Sequence, residues 1–418
     1  MQNDLNKVRF SVKPLKVNNN KVVELARTVG IHPLAYQELP YDPEYSFYAG
    51  RLNPEVLSNA SADEMYWKVR QEVIFRHTGE HPYEISGPDA EKLLQKIFTR
   101  DISKVKVGRC SYQFACYSDG GMITDGVLLR LEENKFWFAQ ADGDLFSWYK
   151  AHSDNLRVKI SDPDVWVSQV QGPNSMKLLK ILTKETYPEK WKYFDWKEVT
   201  ILNEEVIISR SGFSNELGWE IYFRKSNNTE KIGDYIFEEG KKMGMILTGT
   251  PGFRCKRIES GLLSAGQDFT YHTNPYDVGL GKYVDLKKNY FIGKSALEIA
   301  DKDKRCWGIR VENGTALKGS YIKLNSEIVG KVTSSTWSPF QKCGVGIVLL
   351  NNTKHKPGII VDVDCNDNKT HKGEICTLPM YDFKNEIVRG LKTDIPKGPS
   401  PWSGIKKNSS SRWWWIYT

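Results

Sequence analysis

The residues best equipped for chemistry lie in one acidic and aromatic segment, Gly212-Phe213-Ser214-Asn215-Glu216-Leu217-Gly218-Trp219-Glu220-Ile221-Tyr222. Strand alternation there puts Trp219 and Ile221 on one face and Glu220 and Tyr222 on the other. A Glu and a Tyr facing inward form a bidentate acceptor beside a hydrogen-bonding platform. That pair suits a flat heterocycle with an amidine-like N–H pair, such as a pterin. The same spacing also fits a solvent-facing Glu beside a half-buried Tyr, and pattern alone does not choose. Walker, G-x-G-x-x-G, G-x-S-x-G and zinc signatures are absent. His77 and His81 have helical spacing, but Gly79 lies between them and Pro82 follows, so no metal site is expected. Seven cysteines without a C-x-x-C pair argue against a disulfide framework and fit reduced thiols.

Several elements must position such a site. Residues 1 to about 54 lack periodicity and are expected to drape over another domain. Ser61-Ala62-Asp63-Glu64 is a capping box that opens a helix through about Arg70. His81 to Ile85 reads as a strand, and Gly87-Pro88-Asp89 turns it into a helix with Ala90, Leu93, Leu94 and Ile97 on one face. The run from Ile85 to Leu94 repeats as Val170 to Leu179, which predicts two copies of a strand–turn–helix unit in two related lobes. Strands are predicted near Ser111–Ala115, Val127–Leu131 and Phe136–Ala141, with a turn at Ser118-Asp119-Gly120-Gly121. Further strands are expected near Val199–Leu202, Val206–Ser211 and Trp219–Phe223. Helices follow at about Lys231–Met243 and Gly252–Leu263. Beyond Asp303 the pattern turns to short strands alone (near Trp307, Ile328, Val345 and Ile359), which predicts a separate barrel-like domain.

The chain has 418 residues, enough for about two to three domains. Its 13 Trp, 20 Tyr and 17 Phe exclude disorder for the bulk of it. A mean hydropathy of −0.50 and the lack of a long apolar run exclude a membrane-spanning helix. The polar start shows no secretory pattern, so a cytoplasmic protein without a membrane partner is expected. The net charge of +8 is spread along the chain. No nucleic-acid partner is expected from it; a small anionic ligand or a plain solubility bias accounts for it equally.

The Gly212–Tyr222 segment resembles an element of the glycine-cleavage T-protein (aminomethyltransferase) superfamily. Other elements agree in order: Gly120-Gly121-Met122-Ile123-Thr124-Asp125, Arg257-Ile258-Glu259-Ser260-Gly261-Leu262, Asn274 to Gly281, and Phe291 to Leu297. Within the superfamily the likeness is fullest to tetrahydrofolate-dependent dimethylsulfoniopropionate demethylases. It is carried by Tyr48 to Pro54, Ala141-Asp142-Gly143-Asp144-Leu145, Gly261 to Asp268, and Ser334-Ser335-Thr336-Trp337-Ser338-Pro339. Two departures stand out. Thr124 replaces an Asp that T-proteins use in aminomethyl transfer, and Arg76 follows Phe75 where relatives carry Asp.

The resemblance implies an α+β fold, a three-lobed cloverleaf of two related α+β lobes plus a C-terminal β-barrel-like domain. The boundaries expected are 1–302, 303–384 and a tail at 385–418, whose closing Trp413-Trp414-Trp415 has no family counterpart. It implies tetrahydrofolate as cofactor and methyl acceptor, with Glu220, Tyr222, Trp219 and Tyr112 holding it. Asp125 and Tyr48 are the expected catalytic residues, and Arg51 and Trp148 the expected binders of the methyl donor. The function implied is a demethylase moving a methyl group from a small onium compound, such as dimethylsulfoniopropionate, to tetrahydrofolate. Its partners are then that donor and the folate, with a homodimer left open. Glycine-cleavage aminomethyl transfer, O-demethylation of methoxy-aromatics and folate binding without turnover are the alternatives. An onium leaving group departs neutral and needs no acid, which suits the loss of the carboxyl at position 124.

Overall fold

The computed structural model describes residues 29–396 and 404–405, and the backbone of a two-stranded pair, β1 (Leu15–Val17) and β2 (Asn20–Val23). The Trp-rich end lies outside the described residues, and so does its expected docking. The early segment does lie over another part of the chain. Leu34 inserts where a Cβ on Gly233 would come within 2.4 Å of it. Contrary to expectation, the segment also contains regular structure. β3 (Glu44–Tyr48) and β4 (Arg51–Val56) form a hairpin. Its turn residues Ala49 and Gly50 both take positive φ, 49° and 82°. Such paired left-handed residues match the strand twist, but an Ala at the first position hides the turn from composition. Helix α1 (Ala62–Gln71) starts as predicted, with the Ser61 hydroxyl accepting from the Glu64 N–H at 3.1 Å. The buried strand β5 (Ile74–His77) follows it.

Two lobes then share one wiring. The first runs β6 (His81–Ser86), α2 (Ala90–Ile97), β7 (Cys110–Cys116), β8 (Met122–Glu132), β9 (Lys135–Gln140), α3 (Leu145–Ala151) and β10 (Lys159–Ser161). The second runs β11 (Trp166–Gln171), α4 (Ser175–Thr183), β12 (Trp196–Ile201), β13 (Glu204–Ser209), β14 (Gly218–Phe223), α5 (Thr229–Lys241) and β15 (Ile246–Leu247). The sheet orders are β10-β6-β9-β8-β7 and β15-β5-β11-β14-β13-β12. The second sheet repeats the first, with β5 taking the place of β10 and β15 added at the edge. The repeated motif holds both copies alike. Gly87 and Gly172 have φ of 115° and 125°, which a side chain would oppose. A Cβ there would also meet a backbone oxygen, of Arg157 at 2.6 Å or of Glu72 at 2.5 Å.

Each lobe has its own apolar core. A third layer joins the two sheets, with Leu129 and Trp137 of the first lobe against Val167, Ile207 and Tyr222 of the second. Residues of β14 on the Tyr222 face therefore point toward the junction of the lobes. Helix α6 (Thr250–Ser260) packs on α1 and on the C-terminal region, and the short α7 (Lys294–Ile299) precedes the latter. There, β16 (Cys306–Val311), β17 (Tyr321–Leu324), β18 (Glu327–Ser338), β19 (Cys343–Leu350), β20 (Ile360–Asp364) and β21 (Thr370–Cys376) close a barrel in the order β16-β19-β18-β17-β20-β21. β17 and β21 were not anticipated, because Lys, Glu and Thr interrupt their apolar alternation. The fold is α+β with a closed C-terminal barrel.

Candidate functional site

A cavity of about 600 Å³ opens where the two lobes, the β3–β4 hairpin and α6 meet. Its polar floor is built on β14. Trp219 and Ile221 turn into the core of the second lobe, where the Trp219 indole donates to the Ser175 carbonyl at 3.0 Å. Glu220, on the other face, lines the cavity and is 3% exposed. Register supplies its partners. Gln169 and Ser209 lie opposite Glu220 on β11 and β13. The Gln169 amide donates to Glu220 Oε1 at 2.8 Å. Glu220 Oε2 accepts from Ser209 at 3.2 Å, from Tyr222 at 3.3 Å and from Ser211. Burial raises the Glu220 carboxyl above the usual carboxylate range, and these hydrogen bonds oppose the rise. Such a carboxylate is short of positive charge and suited to a ligand that brings N–H donors.

Tyr48, Arg76, Glu80 and Asp125 also line the cavity, with Glu80 accepting from the same Gln169 amide as Glu220. The Asp125 carboxyl accepts from the Tyr112 hydroxyl at 2.7 Å. Burial pushes it up to about 6, against the pull of that hydrogen bond. Burial also raises Glu80, with Glu220 adding to the rise and Arg76 opposing it. The half-buried Tyr48 is raised first by burial and then by the carboxylates of Glu80, Asp125 and Asp142, with Arg76 acting the other way.

Of the residues singled out in the sequence, the structure brings Tyr48, Tyr112, Asp125 and Glu220 to one cavity. Tyr222 stands behind Glu220 and supports it. Three others do not reach the cavity. Trp219 is a core residue. Arg51, 3% exposed, donates to the carbonyls of Glu80 at 2.9 Å and Val165 at 2.8 Å and stacks 3.8 Å over Trp166. It is a structural clamp rather than a binder of the donor. Trp148 packs in α3 against His152 and Tyr117, at 4.4 and 5.5 Å between ring centroids. Sequence reasoning passed over Glu80, Gln169, Tyr193 and Ser211. Gln169 carried a signal, since Ser168, Gln169 and Gln171 are polar positions in a strand that is buried throughout.

Thr124 is fully buried and its hydroxyl donates to the Asp142 carbonyl at 2.6 Å, so the side chain is spent within the lobe. Asp142 Oδ1 accepts from the Ala49 N–H at 3.0 Å, tying the hairpin that carries Tyr48 to the first lobe. Other motif residues are joints. Arg257 pairs with Asp268 at 2.7 Å and donates to Ser334 of β18 at 2.8 Å. Glu259 accepts from Tyr66 and Tyr381, each at 3.0 Å, and from Ser338. Among the described residues, no group of three or more His, Cys, Asp or Glu could hold a metal ion, and no helix is long and apolar enough to cross a membrane.

The GCVT N-terminal domain matches residues 32–288, and the glycine cleavage T-protein C-terminal barrel domain matches residues 304–382. The chain belongs to the glycine cleavage T-protein family. That family carries one-carbon units on tetrahydrofolate, and the chain is a one-carbon transferase of this kind. It is 31% identical over 315 residues to an aminomethyltransferase of Bacillus subtilis, covering 73% of this chain and 86% of that one. It is 30% identical over 330 residues to a dimethylsulfoniopropionate demethylase of Ruegeria pomeroyi, covering 77% and 89%. A trimethylamine-oxide aldolase of the same organism is 32% identical over 363 residues, covering 82% of this chain but 45% of that protein. The fold matches the aminomethyltransferase T of Bartonella henselae with a TM-score of 0.75, at 19% identity, over 85% of this chain and 99% of that one.

The cavity suits the T-protein family's carrier. Its volume lies in the range of ordinary ligand sites of roughly 300–1,000 Å³. The Glu220 cluster offers acceptors at one end, and Tyr112 and Tyr283, 5.4 Å apart, give it an aromatic wall.

Proposed function

We propose that the chain takes a methyl group from a small onium compound and passes it to tetrahydrofolate, with Glu220 holding the pterin and Asp125 and Tyr48 flanking the reacting centre. The observation that carries this reading is the placing of Tyr48 in one cavity with the buried carboxyls of Glu80 and Asp125. A positive charge beside Glu80 and Asp125 would relieve carboxyls that burial has pushed toward neutrality, and Tyr48 is an aromatic side chain lining the same cavity. A neutral methoxy-aromatic would bring those carboxyls no counter-charge. It would also need an acid, and a carboxyl at about 6 is only about one-tenth protonated at pH 7.

Tetrahydrofolate supplies a nitrogen that gains the methyl carbon and gives up a proton. The carbon–sulfur or carbon–nitrogen bond of the donor breaks, and its electron pair leaves on the neutral heteroatom. Asp125, mostly ionised at neutral pH and held by Tyr112, is the base available for the proton. The remaining work is orientation, with donor and acceptor brought together in one cavity. Aminomethyl transfer is disfavoured because Thr124 offers no carboxyl and its hydroxyl is committed to Asp142.

Purified protein with tetrahydrofolate and a panel of sulfonium, ammonium, methoxy-aromatic and aminomethylated-carrier donors tests this. The expected result is 5-methyltetrahydrofolate formed with an onium donor. Product from methoxy-aromatics alone, or only with the aminomethylated carrier, refutes it, as does folate binding without any product.

A further inference from the structure

Several deeply buried cations among the described residues have short, well-made contacts. Lys256 pairs with Glu216 at 2.5 Å, Arg257 pairs with Asp268 at 2.7 Å, and Arg51 is held by two carbonyls and a ring. Arg76 is 8% exposed, lines the cavity, and makes no ion pair among the described residues. Its Nη2 donates to Thr250 at 3.1 Å and to Asn53 at a long 3.4 Å. Its Nε is buried with no partner. The nearby carboxylates are engaged elsewhere. Glu55 accepts from Ser46 at 2.7 Å and faces Arg254 at 3.6 Å, and Glu80 accepts from Gln169 at 3.2 Å. Glu55, Glu80 and Glu38 act on Arg76 through space and the Phe253 ring lies 4.9 Å from its guanidinium carbon, but none of these carboxylates pairs with it. A buried guanidinium without a paired carboxylate is costly unless an anion joins it.

We infer that Arg76 is the anchor for a carboxylate on the methyl donor, which makes the donor a zwitterion: its carboxylate on Arg76 and its onium head against Tyr48. The inference rests on the onium reading above and adds the second charge. The chemistry favours a carboxylate, because a planar guanidinium takes carboxylate oxygens side by side. A phosphate dianion would face Glu55 and Glu80 as well. Position 76 reaches the cavity because β5 pairs with β11, which sets Arg76 opposite Gln169, the residue bonded to Glu220. Carboxylate anchor, onium platform and pterin acceptor are thereby on neighbouring strands and one hairpin.

The test compares donors that differ only by the carboxylate arm, dimethylsulfoniopropionate against trimethylsulfonium and glycine betaine against tetramethylammonium. Wild type, R76M and R76K are measured by kcat/KM and by the melting shift that propionate alone produces. The expected preference of wild type for the zwitterion is at least 100-fold. R76M should bring the ratio within a few-fold of one, R76K should keep part of it, and R76M should lose the propionate shift. The melting temperature of each variant without ligand, measured alongside, separates loss of the anchor from a folding defect. Onium turnover with the same zwitterion ratio in wild type and R76M overturns the anchor. No onium turnover, together with a propionate shift that R76M abolishes, sinks the demethylase reading and keeps the carboxylate anchor.

Discussion

Arg70 and Arg76 are both buried, one near the end of α1 and the other in the strand that follows, yet their surroundings are opposite. Arg70 lies over Phe340 at 3.9 Å, donates to the Tyr381 hydroxyl at 2.8 Å and faces Glu216 at 3.7 Å. Lys256 and Glu259 complete that cluster, which joins α1, α6, the loop before β14, the barrel and the segment after it. Positive and negative groups balance there. Around the cavity, Arg76, Glu80, Asp125 and Glu220 are in no ion pair among the described residues. Glu80, Asp125 and Glu220 are all raised by burial, and Arg76 lacks an ion-pair partner. Buried charge that is matched holds lobes together, whereas buried charge left unmatched waits for something from solution. Motif residues divide accordingly: Glu259, Asp268 and Ser338 are joints, while Asp125 and Glu220 face the ligand space.

The largest effect that can break this comparison is on the joint. Glu259→Ala leaves Lys256 and Arg70 with one carboxylate between them and strips acceptors from Tyr66, Tyr381 and Ser338. Breaking a buried ion network by removing one member costs about 3–5 kcal/mol. Denaturant unfolding should show that loss in full. A cost below about 1 kcal/mol would mean that the cluster is not what joins the lobes.

Next in size is Glu220→Ala. It should weaken tetrahydrofolate binding by about 100-fold or more, equivalent to about 2.7 kcal/mol. Stability should fall by less than for Glu259→Ala, because no buried cation loses an ion-pair partner, although four donors lose an acceptor. Calorimetric titration with normal folate affinity would refute its role. A drop in stability matching that of Glu259→Ala would place Glu220 among the joints and dissolve the distinction between the regions.

Asp125→Asn follows. In wild type, turnover should rise with pH through an apparent pKa near 6, the value to which burial pushes this carboxyl. The Asn variant should be slower by about 100-fold, the usual scale for a positioned base, and should lack that rise. An unchanged pH profile in the variant would remove Asp125 from the proton's route.

Much of the site was legible before the structure because strands have period two. The alternation along Trp219-Glu220-Ile221-Tyr222 needs no distant information, and the core face and ligand face fall out as read. The strand–turn–helix repeat was legible for a similar reason, since its glycines answer a local demand for positive φ. What could not be read depends on distant pairing. Arg51 and Arg76 look equally able to bind an anion in the sequence. The Ala49-Gly50 turn carries Arg51 onto Trp166, while the register of β5 on β11 carries Arg76 into the cavity. Trp148 failed likewise, because α3 turns it toward Tyr117 and His152. Gln169 and Ser211 were invisible as site residues until β11, β13 and β14 were placed side by side.

The smallest expected effect concerns His77, the residue after Arg76 on β5. Its ring stacks on His32 at 4.7 Å, with Ser168 and Gln37 at 3.0 and 3.2 Å from its two nitrogens. Burial depresses it to about 3, so it is a polar group kept neutral in the core, unlike the cation beside it. The sign follows from where protons bind. Between about 6.5 and 3 the unfolded chain takes up a proton that the folded chain refuses. The His77 contribution is therefore intact above about pH 6.5 and is lost progressively as the pH falls toward 3. From pH 7.5 to 5.5 the loss is roughly 1.4 kcal/mol. Asp125, raised rather than depressed, acts in the opposite sense from about pH 6 down to its ordinary range, so the net curve of wild type mixes the two. The difference between wild type and His77→Gln, measured by denaturant unfolding at each pH, isolates the histidine. The variant should lose less stability than wild type over that interval. Parallel curves would show that His77 accepts its proton in place, and the strand would then carry two adjacent cations rather than one.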